Sequence, residues 1–129
     1  VLKLRNKNKY SNIKDFNKPG LYSYEDLLKK KITLGCSTVL LCYKTFHDFK
    51  MSEIKRGQDY ASWLSLLRMG YSVKLLSEPL SYYRITPGSI SRNKLKKAYA
   101  QWHVYRSLEK LSLIKSLCCY FFYVKNALF

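Results

Sequence analysis

The stretch RGQDYASWLSLLRMGY at residues 56–71 decides how the rest of the chain is read. Tyr60, Trp63, Leu64 and Leu67 recur at i, i+3, i+4 and i+7, which places one apolar stripe on a helix and predicts that the helix stops at Gly70. Trp63 belongs to the core on this reading. Asp59 falls at the helix start, directly after Gly57-Gln58. An acid there has two readings. It can serve as an N-cap that takes up free backbone N–H groups, or it can be a carboxylate held for chemistry at the positive end of a helix, which favours an anion.

Working outward, residues 71–76 read as a strand that Glu78-Pro79 breaks, residues 80–85 form another short extended piece, and Thr86-Pro87-Gly88-Ser89 is a turn. Upstream, ITLGCSTVLLCY at residues 32–43 is rich in β-branched and apolar residues and predicts a largely buried strand, with a bend or close backbone approach at Gly35. Residues 45–57 are mixed and polar, a loop or a short turn of helix. Tyr24-Glu25-Asp26-Leu27-Leu28 suggests a short helix capped by Ser23 and ending near Lys29–Lys31. Residues 1–20, rich in Lys and Asn and closed by Pro19-Gly20, read as a loosely packed, basic lead-in.

Beyond Arg92, the residues Leu95, Ala98, Tyr99, Trp102, Tyr105 and Leu108 keep helical spacing, while Lys94, Lys96 and Lys97 lie largely off that stripe. After Ser112 a second helix is expected through Ile114, Leu117, Cys118, Phe121 and Leu128. Its aromatic residues spill around most of the circumference, so it calls for a partner or an interface. Strands and helices in this order point to an α/β unit whose sheet continues into sequence outside the chain. The expected division is a lead-in over 1–20, an α/β part over 21–92 and an amphipathic helical pair over 93–129.

The 129 residues allow one compact domain or part of a larger one, and the 47% hydrophobic and 16% aromatic content argues for a substantial core. The net charge of +16 is uneven: residues 1–31 hold nine Lys/Arg against three acids, 32–91 seven against four, and 92–129 eight against one. Basic ends favour an anionic partner, nucleic acid or acidic lipid, over a merely well-solvated surface. Cysteines at 36, 42, 118 and 119 form no CxxC and no zinc spacing, and free, buried thiols are expected. Cys36 and Cys42 on one strand would stand about 20 Å apart, outside disulfide reach. The chain opens at Val1 without Met or a signal pattern and reads as an excised segment. Its longest apolar run, residues 117–124, is far shorter than the ~20 residues of a membrane span.

Three blocks, GCSTVLLCYKTF at 35–46, RGQDYASWLSLLRMGY at 56–71 and EPLSYYRITPGSISRNK at 78–94, resemble in order and spacing the C-terminal half of family 2 glycosyltransferases of bacterial surface-polysaccharide synthesis. The resemblance extends over residues 21–128. It implies the C-terminal part of a GT-A fold and an inverting transfer of a sugar from a nucleotide-sugar to a saccharide or lipid-linked acceptor. In the family, an acidic pair followed by Trp supplies the general base, matched here by Gln58-Asp59 and Trp63, with Gln58 in place of the usual Glu. Such a base takes the acceptor hydroxyl proton as the oxygen attacks the anomeric carbon opposite the leaving diphosphate.

Tyr83-Arg84 with Ser89 and Ser91 resembles the element near the donor diphosphate, where Arg84 offers a planar fork of donors. Thr86 stands where many members carry His. The alternative for Arg84 is a structural ion pair or a carbonyl anchor. Thr38, with Ser37, matches hydroxyl residues lining the acceptor side, against the alternative of burial with a bond to backbone. The chain has no Asp-x-Asp motif, so the resemblance implies that a divalent Mg or Mn ion is held by the missing N-terminal half and none by this chain, which alone should be inactive.

The terminal helices suit an anionic membrane surface at the inner face of the plasma membrane. The competing assignment packs them against the missing half or a second subunit as a homodimer. Two other classes compete with the enzyme: a nucleic-acid-binding module and a membrane-association segment without catalysis. The aromatics fall on helical stripes and form no RNP-like element, so nucleic acid is not expected as a partner.

Overall fold

The computed structural model describes residues 2–6, 9–12, 19–76, 78, 81–84 and 94–128, with side chains over 19–76, 78 and 95–126. The chain is α/β. Strands β1 (Leu2–Asn6), β2 (Lys9–Asn12) and β5 (Ser81–Arg84) form one sheet in the order β2-β1-β5, with β1 antiparallel to β2 and parallel to β5. Strands β3 (Gly20–Tyr22) and β4 (Val73–Leu75) form an antiparallel pair. The helices are α1 (Tyr24–Leu28), α2 (Tyr43–Phe46), α3 (Gln58–Arg68), α4 (Lys94–His103) and α5 (Leu113–Leu128). The expected strands at 71–76 and 80–85 are present as β4 and β5, while the turn at 86–89 lies outside the described residues.

Two expectations about strands are corrected. Residues 2–6 and 9–12 form β1 and β2 and Gly20 opens β3, in place of the expected loose lead-in. The apolar run 32–43 is not a strand: it holds a 3-10 turn at Cys36–Thr38, and Leu40 is 97% exposed. A strand needs a neighbour to take up its N–H and C=O groups. Here the Thr38 hydroxyl bonds locally instead, donating to the Gly35 carbonyl (2.9 Å) and accepting the Gly35 N–H (3.1 Å). Such a side-chain bond offers the backbone an alternative to a sheet ladder.

Helix α3 is the centre of the core. Its apolar stripe is realised, with Tyr60, Trp63, Leu64 and Leu67 buried beside Leu27, Leu28 and Ile32. Trp63 stacks on Phe49, centroids 6.0 Å apart. Gly70, at φ +95°, lies just past the helix end in the left-handed region that glycine enters without steric cost.

Helix α1 starts as its sequence predicts. The Asp26 carboxylate accepts the Ser23 N–H (3.0 Å) and hydroxyl (2.8 Å), and with the Lys31 ammonium at 2.7 Å these donors hold its carboxyl down to about 2. The helix ends with a Schellman pair of bonds, Lys31 N–H to the Asp26 carbonyl and Lys30 N–H to the Leu27 carbonyl, with Lys30 at φ +54°. That position usually carries glycine.

The last carbonyls of α1 are taken up by three distant elements. Tyr60 Oη donates to the Leu27 carbonyl (3.2 Å), Tyr105 Oη to that of Leu28 (2.8 Å), and Asn126 Nδ2 to those of Lys29 (3.3 Å) and Lys30 (3.0 Å). Burial raises the pKa of both tyrosines, that of Tyr105 to about 12. A fourth tie is the nearly sealed Glu109 carboxylate, which accepts Tyr24 Oη (2.6 Å) and Arg68 Nη1 (3.2 Å).

Helix α4 widens into a π-helical segment, Val104–Leu108, closed by the Glu109 N–H to the Val104 carbonyl (2.9 Å). The expected stripe along 95–108 is thereby split: Val104 and Tyr105 are buried, but Leu95 and Tyr99 are 85% and 73% exposed. Extra backbone in a π turn rotates the residues beyond it, so the two halves face different ways. On α5, Ser116 and Cys119 face inward, whereas Ile114, Leu117, Cys118 and Phe121 face solvent. All four cysteines are free, but three of them are exposed, which corrects the expectation of burial. None of the described helices is long and apolar enough to cross a membrane.

Candidate active site around Asp59

Gly57, at φ +73°, is the N-cap of α3, so Asp59 is its second residue and the simple N-cap reading of Asp59 does not hold. The left-handed conformation suits glycine, and a Cβ there would lie 3.9 Å from Val104 Cγ2. The head of α3 therefore packs on the junction between α4 and its π segment.

Asp59 is half-buried, and one carboxylate oxygen accepts the N–H of Tyr60 at 2.8 Å. Among the described residues the other oxygen has no hydrogen-bond partner. A half-buried carboxylate with one oxygen fixed and one available has the geometry a proton acceptor needs.

A lysine faces this acid. Lys30 holds its ammonium 3.5 Å from the centroid of the Tyr60 ring and 6.0 Å from that of Tyr123. Burial pushes its pKa down to about 7; the Asp59 carboxylate pulls it upward and the Lys97 ammonium downward again. Sequence reasoning misses this role, since Lys30 stands inside the Lys29–Lys31 run as one of three helix-end lysines. Its non-glycine identity at a helix C′ position is the one available hint.

The other expected site residues are dispersed. Gln58 is exposed at the first turn of α3, and its carbonyl accepts the Ser62 hydroxyl at 2.5 Å. Thr38 is exposed rather than buried, its hydroxyl engaged with Gly35. Arg84 lies in β5, paired with Arg5 of β1, but its side chain is outside the described residues, as is Ser89 altogether. Among the described residues no group of three or more His, Cys, Asp or Glu could hold a metal ion.

An open cleft of about 760 Å³ lies between the segment preceding Gly57 and helix α4, lined among others by Lys55, Arg56, Leu95, Lys96, Tyr99 and His103. Asp59 is not in its lining, but Arg56 directly precedes Gly57, the N-cap of α3, and His103 directly precedes Val104.

Comparison with known proteins gives three kindred enzymes. TuaG of Bacillus subtilis, named as a candidate glycosyltransferase of teichuronic acid biosynthesis, is 40% identical over 109 residues, 84% of this chain and 43% of TuaG. WfaP of Escherichia coli, a UDP-Glc:alpha-D-GlcNAc-diphosphoundecaprenol beta-1,3-glucosyltransferase, is 32% identical over 113 residues, 88% of this chain and 44% of WfaP. WfgD of Escherichia coli, which bears the same enzyme name, is 34% identical over 98 residues, 75% of this chain and 38% of WfgD. No family profile matches the chain. No solved structure matches it. The chain spans under half the length of these curated relatives. By sequence it belongs with the glycosyltransferases of bacterial surface-polysaccharide synthesis, homologous to part of their length.

Proposed function

We propose that this chain is the C-terminal, acceptor-side part of an inverting family 2 glycosyltransferase of GT-A fold. The enzyme would transfer a hexose from a nucleotide-sugar to a lipid-linked saccharide in surface-polysaccharide synthesis. The observation that carries this reading is the Asp59 carboxylate: half-buried at the head of α3, one oxygen fixed by Tyr60 N–H, the other available, in a chain 40% identical to TuaG. The names of WfaP and WfgD support a diphosphate-linked polyprenol as the acceptor carrier.

In the proposed reaction Asp59 accepts the proton of the acceptor hydroxyl as that oxygen bonds to the anomeric carbon. The bond from that carbon to the diphosphate breaks on the opposite face, and the nucleoside diphosphate leaves with the electron pair. Gln58, Thr38, Arg84 and Ser89 are proposed substrate contacts. The residues described do not fit a metal centre, and no step of the proposal runs through one. The divalent Mg or Mn ion that the resemblance implies is proposed as a ligand of sequence outside this chain.

The exposed stripe Ile114, Leu117 and Phe121 on α5, with Lys125 on the same helix, supports peripheral binding to the anionic inner face of the plasma membrane. Residues 21–92 are then the acceptor-side half and 93–129 the membrane-facing pair. The intact enzyme, given radiolabelled nucleotide-sugars and a polyprenyl-diphosphate-linked GlcNAc, should yield a lipid-extractable disaccharide of inverted anomeric configuration. A product of retained configuration, or no transfer from any nucleotide-hexose, would refute the proposal.

A further inference from the structure

We infer that the cleft beside the head of α3 binds the diphosphate and first isoprene units of a lipid-linked acceptor; this inference rests on the function proposed above. Lys55, Arg56, Lys96 and His103 supply cationic or protonatable groups around the cleft, and among the described residues no carboxylate lines it. A dianionic or trianionic head meets complementary charge from these residues, and charge-assisted bonds to phosphate are the strong ones.

The same cleft has an apolar side. Leu95 and Tyr99 leave 85% and 73% of their surfaces exposed, although they belong to the regular apolar stripe of α4. The π turn that buries Val104 and Tyr105 turns this upper part of the stripe away from the core and toward the cleft. Exposed apolar side chains in register beside a cationic cluster fit a ligand with a charged head and a hydrocarbon tail. A nucleoside diphosphate lacks the tail.

The position of the cleft points the same way. Arg56 precedes Gly57 and His103 precedes Val104, whose Cγ2 would lie 3.9 Å from a Cβ at Gly57, so both cleft residues stand near the head of α3. A diphosphate held in this cleft would place the sugar it carries next to the helix end that presents Asp59. A cleft on another face of the molecule could not deliver an acceptor hydroxyl to that carboxylate.

The test uses the intact enzyme and three soluble probes, farnesyl diphosphate, inorganic pyrophosphate and UDP-glucose, with binding followed by calorimetry. The double variant Lys55→Glu/Lys96→Glu reverses charge on two walls of the cleft, and Tyr99→Ser removes apolar surface without touching charge. We expect the double variant to weaken farnesyl diphosphate about tenfold or more. Tyr99→Ser should weaken it several-fold while leaving pyrophosphate unaffected, and UDP-glucose affinity should stay at the wild-type value throughout. Unchanged farnesyl diphosphate binding in the double variant overturns the inference. So does a selective loss of UDP-glucose, which would give the cleft to the donor, and so does wild-type pyrophosphate binding as tight as farnesyl diphosphate. Failure here is separable from failure of the proposed function. Sugar transfer with an unaltered acceptor KM in the double variant removes only the cleft, whereas cleft-dependent binding in an enzyme that transfers no sugar removes only the reaction.

Discussion

The ammonium of Lys30 lies 3.5 Å from the centroid of the Tyr60 ring, and Tyr60 gives its backbone N–H to Asp59. The two contacts place a half-buried cation and the proposed base on the same residue of α3. Lys30 is held there by a left-handed backbone and by Asn126, which bonds its carbonyl from the far end of α5. The cation beside Tyr60 is thus tied to a helix that begins more than eighty residues after it in the sequence.

Burial of Lys30 has a measurable cost in protons. Its pKa of about 7 in the folded chain lies below the ordinary lysine value of 10.5. Between those values the unfolded chain binds more protons, so this group's contribution to stability rises with pH through the window and is lost as pH falls back toward 7. Urea unfolding of the intact enzyme at about pH 7.5 and about pH 9.5 should show stability climbing, with the climb flattened in Lys30→Met. Equal slopes in the two proteins would show that Lys30 titrates normally.

The backbone at Lys30 makes a second prediction independent of charge. At φ +54° a Cβ is unfavourable, so Lys30→Gly should be more stable than Lys30→Ala by about 1 kcal/mol, since both lose the ammonium and only one keeps the strain. A difference near zero, read from urea midpoints at constant m-value, would mean that the turn relaxes.

Tyr105 is a buried donor to the end of α1. Tyr105→Phe leaves the Leu28 carbonyl without its 2.8 Å bond in a site that water does not reach, and should cost about 1–3 kcal/mol. Asn126→Ala removes bonds from an exposed amide, where water can substitute, and should cost under about 1 kcal/mol. Thermal unfolding of both variants checks the order; the reverse order would place the clamp on α5 rather than on the π segment.

The elements that can be read from sequence are those with local signals. Helix α3 carries its period and its glycine stop within one stretch, although its N-cap is Gly57 and not Asp59, and α1 carries Ser23 and Asp26 three residues apart. The run 32–43 misleads because β-branched residues favour a strand only when a neighbouring strand is present, and the Thr38 hydroxyl bonds Gly35 instead. Strand β1 escapes a local reading because its Lys- and Asn-containing sequence pairs with β5, far along the chain. Of the candidate site, Asp59 is legible from its place before an apolar stripe. Lys30 is not, because its burial is created by Tyr60 and Tyr123, residues of two other helices. Nor is the cleft, since helical periodicity assigns Leu95 and Tyr99 to a buried stripe and carries no sign of the π turn.

The direct measurement of the central claim is the turnover of Asp59→Asn in the intact enzyme. Asparagine keeps the shape and the acceptor oxygen for the Tyr60 N–H but cannot take a proton at neutral pH. The expected result is a kcat lower by about 10²- to 10⁴-fold, with acceptor KM and unfolding midpoint close to wild type. A variant that turns over at the wild-type rate would contradict the assignment of Asp59 as the base.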